Sequence, residues 1–249
     1  MKPKIIFFGS DQYSQIVFQK LQKDKRWQFV KSLEDKPDVG VLASYGRILK
    51  KKELNKPKHG ILNLHPSLLP KYRGPSPVQT AILNGEQETG LTIIKMDEKI
   101  DHGPIVAQFK EEIKPDDTTN SLYQRLFTAG AQVLNTILPA YLEGKIESRE
   151  QGHTQATKTK KLTRVDGKID WQKTAVFNER FIRAMHPWPG AWTEMKIKGK
   201  EKRLKILQAH LEGSKLIFDQ VQLEGKKPVT WKQFQEGYLE VNLPRHQPR

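Results

Sequence analysis

Cysteine is absent from all 249 residues. Disulfides, thiolate metal ligands and cysteine nucleophiles are thereby excluded, so any chemistry must come from other side chains. Long apolar runs are missing too. The stretch Ile5-Ile6-Phe7-Phe8-Gly9 is too short for a signal peptide or a membrane span and lacks a transit peptide's arginines, so a soluble, cytoplasmic chain with no membrane partner is expected. Acidic residues are in deficit: 28 Asp and Glu face 43 Lys and Arg, a formal net charge of +15. The imbalance is uneven, since residues 1–150 hold 23 basic and 18 acidic side chains while residues 151–249 hold 20 and 10. Such an excess suits a polyanionic partner, whose condensed counterions are released on binding; a solvated lysine-rich surface has the same composition.

What is present reads as alternating strands and helices. Residues 4–9 form a short buried strand ending in Gly9, and residues 11–23 a helix with Ile16, Val17 and Leu21 on one face. Val39-Gly40-Val41-Leu42-Ala43 and His59-Gly60-Ile61-Leu62-Asn63 are further apolar runs of strand length, bounded by turn residues. Parallel strands with helical crossovers are implied. A helix is predicted over 77–83, strands over 92–96 and 105–109, and a long helix over 118–142 from the spacing of Leu122, Leu126, Ala129, Val133, Leu134, Ile137 and Leu138. Residues 150–163 lack both periodicities and read as an exposed basic linker. The expected division is residues 1–148, a linker over 149–163, and residues 164–249. In the last part a helix around 176–185 precedes Pro187-Trp188-Pro189-Gly190, where Trp188 is expected to pack. Short β-rich runs at 192–197, 204–210 and 216–223 then suggest a small barrel.

The densest chemical signal is Asn63-Leu64-His65-Pro66-Ser67-Leu68-Leu69-Pro70, continued by Lys71-Tyr72-Arg73-Gly74 and followed by Asp101-His102-Gly103-Pro104-Ile105. Alternation at the C-terminal end of a strand sends Asn63 and His65 to one side, and the mouth of a parallel sheet is where open α/β folds place ligands. If the strands ending at 63 and 96 are neighbours, Asp101 joins them. Singly, each residue is as readily a turn or capping group. Gly9-Ser10-Asp11 resembles a nucleotide-type first turn but lacks G-x-G-x-x-G, and no dinucleotide is expected.

Together, Asn-x-His-Pro-Ser-Leu-Leu-Pro and the downstream Asp-x-Gly-Pro-Ile resemble the signature of the folate-dependent formyltransferases. The resemblance implies an α/β fold: a mostly parallel, Rossmann-like formyltransferase domain followed by a small C-terminal OB-like β-barrel that binds tRNA. It continues through Leu162 to Trp171, Ile182-Arg183-Ala184, Pro187 to Trp192 and Gly225 to Lys232, which are similar to the branch of the family acting on methionyl-tRNA. The implied activity moves the formyl group of 10-formyltetrahydrofolate to the α-amine of methionine on initiator tRNA through a tetrahedral oxyanion. Asn63 and a protonated His65 would donate to the developing charge, and Asp101 would hold His65 and relay protons, with no metal and no covalent intermediate. The loop Ser44-Tyr45-Gly46-Arg47-Ile48-Leu49 resembles the family's pterin-binding loop. Tyr45, Gly46, Arg47, Ile48 and Leu49, with Ile100 and Asp101 opposite, are the implied folate contacts. Ser67, Leu68, Leu69, Pro70, Arg73 and Gly74 would shape the acceptor side, with Arg73 on a phosphate or carboxylate of the amine substrate. A monomer is expected.

One region departs from the family. Only 54 positions separate Gly9 from Asn63, room for one βαβ crossover of ~30 residues and part of another. The family pattern holds a further strand, a helix and a basic loop there that reaches the tRNA acceptor end. Two other readings therefore stand: a sugar-nucleotide N-formyltransferase using the same donor, and a non-catalytic RNA-binding module. Lys196, Lys198, Lys200, Lys202, Arg203 and Lys205, with Lys50-Lys51-Lys52, favour tRNA, because alternation puts several of them on one face.

Overall fold

Short apolar stretches bounded by glycine and proline fold into two sheets in a computed structural model of the chain, which describes residues 1–197 and 199–238. The chain divides into two compact units. The first comprises Met1–Val78, Gln87–Ile113 and Ser121–Lys160; the second takes Gln79–Glu86, Lys114–Asn120 and the chain from Lys161 onward.

The first unit carries six strands, β1 (Lys4–Phe8), β2 (Gln28–Val30), β3 (Val39–Ala43), β4 (Ile61–His65), β5 (Glu88–Lys95) and β6 (Ile105–Glu112), in the order β2-β1-β3-β4-β5-β6. Pairings from β2 through β4 are parallel, and those of β4 with β5 and β5 with β6 are antiparallel. Every residue of β3 and β4 is buried, the condition under which a strand reads as an unbroken apolar run rather than an alternating one. The Asp11 side chain starts helix α1 (Gln12–Gln22) by accepting from the Tyr13 and Ser14 backbone amides at 3.0 and 2.9 Å. Val17 and Leu21 form its buried face. The abbreviated region still supplies a sixth strand, since β2 adds to the outer edge of β1 before the chain returns to β3. A single turn of helix, α2 (Lys51–Leu54), then leads toward β4.

Helix α4 (Thr119–Leu142), which follows α3 (Pro77–Asn84) in the chain, buries Leu122, Leu126, Phe127, Leu134 and Leu138. Each such side chain contributes roughly 1.5–3 kcal/mol of burial free energy. Gly130 lets α4 lie close to the sheet: a Cβ there would stand 2.7 Å from Leu91 of β5. Residues 149–160, expected as part of an exposed linker over 149–163, are mostly exposed and are also hydrogen-bonded to the first unit. Arg149 and Ile105 exchange both backbone hydrogen bonds at 2.7 and 2.9 Å, and residues 157–159 run beside Arg73. One buried side chain, Gln151, and irregular hydrogen bonding hold this strap, and neither leaves a periodic trace in a sequence.

In the second unit, Thr174 caps α5 (Ala175–Met185), which buries Phe181, Ile182 and Met185. Four strands, β7 (Ala191–Ile197), β8 (Lys200–Glu212), β9 (Lys215–Leu223) and β10 (Val229–Thr230), pair antiparallel in the order β10-β9-β8-β7, and α6 (Trp231–Gly237) follows. The expected small β-domain is therefore present. Its pairings among the described residues form an open meander with no β10–β7 closure, and Lys168-Ile169 add to the outer edge of β7 through Trp192. Trp188, expected to pack, is 50% exposed. Lys198 lies outside the described residues. Among the described residues no helix is long and apolar enough to cross a membrane.

Candidate active site

Two parallel neighbours set the site. Leu42 stands beside Asn63 and Ala43 beside Leu64, so the loop leaving β3 opens next to the end of β4. Strand alternation places Asn63 and His65 on one side, both nearly buried at 7% and 5% exposure. Asp101 reaches them from the turn after β5. Gly103 makes that turn possible, because any Cβ there would lie 1.9 Å from the Lys95 carbonyl oxygen. Lys95 closes the turn by donating its backbone N–H to the Pro104 carbonyl at 3.0 Å.

Asp101 is bracketed on both oxygens. Its Oδ1 accepts from Asn63 Nδ2 at 3.2 Å and lies 3.5 Å from His65 Nδ1; its Oδ2 accepts from the Gly74 backbone N–H at 2.8 Å. Asp101 itself holds φ 49°, a left-handed conformation that costs a non-glycine residue free energy and persists only where surrounding contacts impose it. His65 Nε2 lies 2.9 Å from the Tyr72 carbonyl oxygen. A carbonyl only accepts, so Nε2 carries the hydrogen and Nδ1 is the nitrogen facing Asp101. Asn63, His65 and Asp101 thus meet at one point.

The loop after β3 turns on Ser44, at φ 44°, whose hydroxyl bonds the Asp11 carboxylate and whose carbonyl accepts from Ser10 Oγ at 3.1 Å. The other Asp11 oxygen accepts from the first amides of α1 as its N-cap. Tyr45 packs on Phe8, and Leu49 is buried with Leu42, Leu54 and Ile61. Gly46 and Arg47 are exposed, and Ile48 is 75% exposed. The Lys51–Glu98 ion pair, 2.7 Å, links this segment to the turn that carries Ile100, 61% exposed, and Asp101.

The loop after β4 departs from expectation in its side chains. Arg73, expected on the amine substrate, is turned inward and buried, donating to Gln151 Oε1 through Nη2 at 2.6 Å and Nε at 3.2 Å, with Nη2 also 2.8 Å from His153 Nδ1. Ser67 is fully buried and donates to the Lys71 carbonyl at 2.7 Å, while Leu69 packs with Ile94 and Ile105. These three shape the loop from within, because their polar or apolar atoms are already satisfied by the protein. Leu68 and Pro70 are half-buried, and Gly74 takes φ 110°. Three supporting residues escaped the sequence reading. Thr92, opposite His65 in the β4–β5 register, donates to the Ser67 carbonyl and accepts from Leu69 N–H and Gln108 Nε2. Gln108 and Gln151 are the others. Only Thr92 left a signal, a polar residue within an apolar strand. No cluster of three or more His, Asp or Glu side chains among the described residues could hold a metal ion.

Against known proteins, residues 4–138 match the family Formyl transferase and residues 161–217 match Formyl transferase, C-terminal domain. The chain is 56% identical over 158 residues to a methionyl-tRNA formyltransferase of Roseiflexus sp. (strain RS-1), covering 64% of this chain and 49% of that protein. It is 42% identical over 226 residues to the methionyl-tRNA formyltransferase of Roseiflexus castenholzii, covering 81% of this chain and 71% of the relative. HypX from Aquifex aeolicus, solved in complex with tetrahydrofolic acid, has a similar fold, with TM-score 0.75, 16% identity, and coverage of 96% of this chain and 47% of that one. The match spans about half the length of several of these curated relatives. With the family match extending over more than half of its residues, the chain belongs to the formyl transferase family.

Proposed function

We propose that the chain transfers the formyl group of 10-formyltetrahydrofolate to the α-amine of methionyl-tRNA, in the cytoplasm, with Asn63, His65 and Asp101 at the reacting centre. The observation that carries the reading is the Asp101 carboxylate, bracketed by Asn63, His65 and the Gly74 N–H. When bound, 10-formyltetrahydrofolate supplies a formyl carbon whose oxygen gains negative charge as the amine adds.

The residues fit that demand. Asn63 has one amide hydrogen on Asp101 and a second to offer the charged oxygen, and its rotamer is fixed before substrate arrives. The His65 ring is held by Tyr72, which leaves Nδ1 toward Asp101 and the reacting group. The C–N bond to the incoming amine would form first, placing the charge on the formyl oxygen, and collapse of that tetrahedral species would break the bond to the folate nitrogen. The proton that the amine loses equals the one the folate nitrogen gains, and Asp101 is placed to carry it, directly or through water. Ile48 and Ile100, apolar and exposed on segments tied by Lys51–Glu98, suit the faces of a planar pterin. Leu68, Pro70 and Gly74 are then the acceptor-side wall.

The acceptor is supported by the names of the curated relatives and by the basic second unit, where Lys200, Arg203 and Lys205 are exposed along β8. The test supplies 10-formyltetrahydrofolate with either methionyl-tRNA or amino-sugar nucleotides and follows release of tetrahydrofolate. Turnover with the charged tRNA is expected. Turnover with the sugars alone would overturn the acceptor assignment while leaving the donor chemistry in place.

A further inference from the structure

We infer that Gln151 is a positioning residue for the formyl-transfer centre, because its one carboxamide fixes both the backbone of Asp101 and the guanidinium of Arg73; the inference rests on Asp101 as the proton-handling group. Gln151 is 4% exposed and sits on the strap. Its Nε2 donates to the carbonyls of Asp101 and Gly103 at 2.9 and 2.7 Å, and its Oε1 accepts from Arg73 Nη2 and Nε at 2.6 and 3.2 Å. Both amide hydrogens and both lone pairs are therefore spent.

These bonds close a ring. From the Asp101 carbonyl the path runs through Gln151 to the Arg73 side chain, along the backbone to Gly74, and from the Gly74 N–H to Asp101 Oδ2. Arg73 is itself fixed, since its N–H donates to Thr157 and its carbonyl accepts from the Thr159 N–H. Asp101 at φ 49° needs such outside contacts to stay in its left-handed conformation. Glutamine is the side chain that can do this. Glutamate would set carboxylate oxygens against two carbonyls, and methionine of similar length offers neither donor nor strong acceptor.

The test uses Gln151→Glu, which keeps the acceptor for Arg73, and Gln151→Met, which keeps the volume. With 10-formyltetrahydrofolate and methionyl-tRNA, kcat per folded molecule should fall about 10- to 100-fold, as expected when a reacting group is displaced. KM for both substrates should stay within about twofold; because unfolding alone lowers apparent kcat at unchanged KM, it is the count of folded molecules that separates the two causes. Hydrogen exchange at the Gly74 amide should quicken in both variants. A wild-type kcat in Gln151→Glu, or unchanged Gly74 protection, would overturn the inference. If the wild-type chain releases no tetrahydrofolate with any acceptor, the functional reading fails instead, and Gly74 exchange alone decides whether Gln151 positions Asp101.

Discussion

The Gly74 backbone N–H donates to Asp101 Oδ2 at 2.8 Å, so a loop residue with no side chain sets the direction of the site's carboxylate. Gly74 adopts φ 110°, and a Cβ there would stand 2.8 Å from Thr159 Oγ1 and 2.9 Å from its carbonyl oxygen. Gly74→Ala is therefore expected to shift the loop and lower both activity and stability, by about 1–3 kcal/mol for the crowding. Thermal denaturation with parallel turnover checks this; an alanine variant that matches wild type in both would refute it.

Thr92 is the hub beneath His65. Its hydroxyl serves the Ser67 carbonyl, the Leu69 N–H and the Gln108 amide in a fully buried place. Thr92→Val keeps the shape and strands those partners without water, at a cost of about 2 kcal/mol or more. That corresponds to a loss of roughly 4–8 °C in the unfolding midpoint. An unchanged midpoint would show that the loop rests on other contacts.

The proposed binding of a tRNA backbone through the second unit would carry a salt signature. Affinity for charged tRNA should fall linearly on a log–log plot against salt, and Lys205→Ala should reduce the slope by about one. A flat salt dependence favours the sugar-nucleotide reading.

Stability should respond to pH in two windows. Burial lowers the imidazole pKa of His59, helped by the nearby Lys58 charge, and that of His186, below their ordinary 6.5. The folded protein thus takes up protons less readily than the unfolded chain. The stability these residues contribute is complete above pH 6.5 and is lost as pH falls from there toward their lower folded values. Arg26, hydrogen-bonded to Asp24 in side chain and backbone, holds that carboxyl well below the usual range, so its contribution is lost only below about pH 4. Unfolding midpoints measured across pH should therefore fall first below 6.5, and His186→Gln should flatten that first slope. An identical slope in the variant would contradict the assignment.

Residues whose role is periodic were the legible ones. The all-apolar runs of β3 and β4, the spacing of α4 and the pairing of Asn63 with His65 all follow from side-chain direction along one element. β2 was hidden because three residues, Gln28-Phe29-Val30, are too few to show alternation. The attachment of the strap left no local trace because its order comes from Gln151, Thr157 and Thr159 bonding to a distant loop. Arg73 looked like a substrate ligand because a cation beside a reactive histidine invites that reading; its buried partner lies 78 positions away, beyond any local pattern.

If Asp101, held by Asn63, His65 and Gly74, handles the proton in formyl transfer as proposed, wild type and Asp101→Asn must differ in rate. Asparagine tolerates the left-handed backbone at this position, so the fold should survive. With saturating 10-formyltetrahydrofolate and methionyl-tRNA, tetrahydrofolate release should drop by roughly 10²- to 10⁴-fold while folate affinity stays largely intact. Equal rates in the two proteins would remove Asp101 from the chemistry.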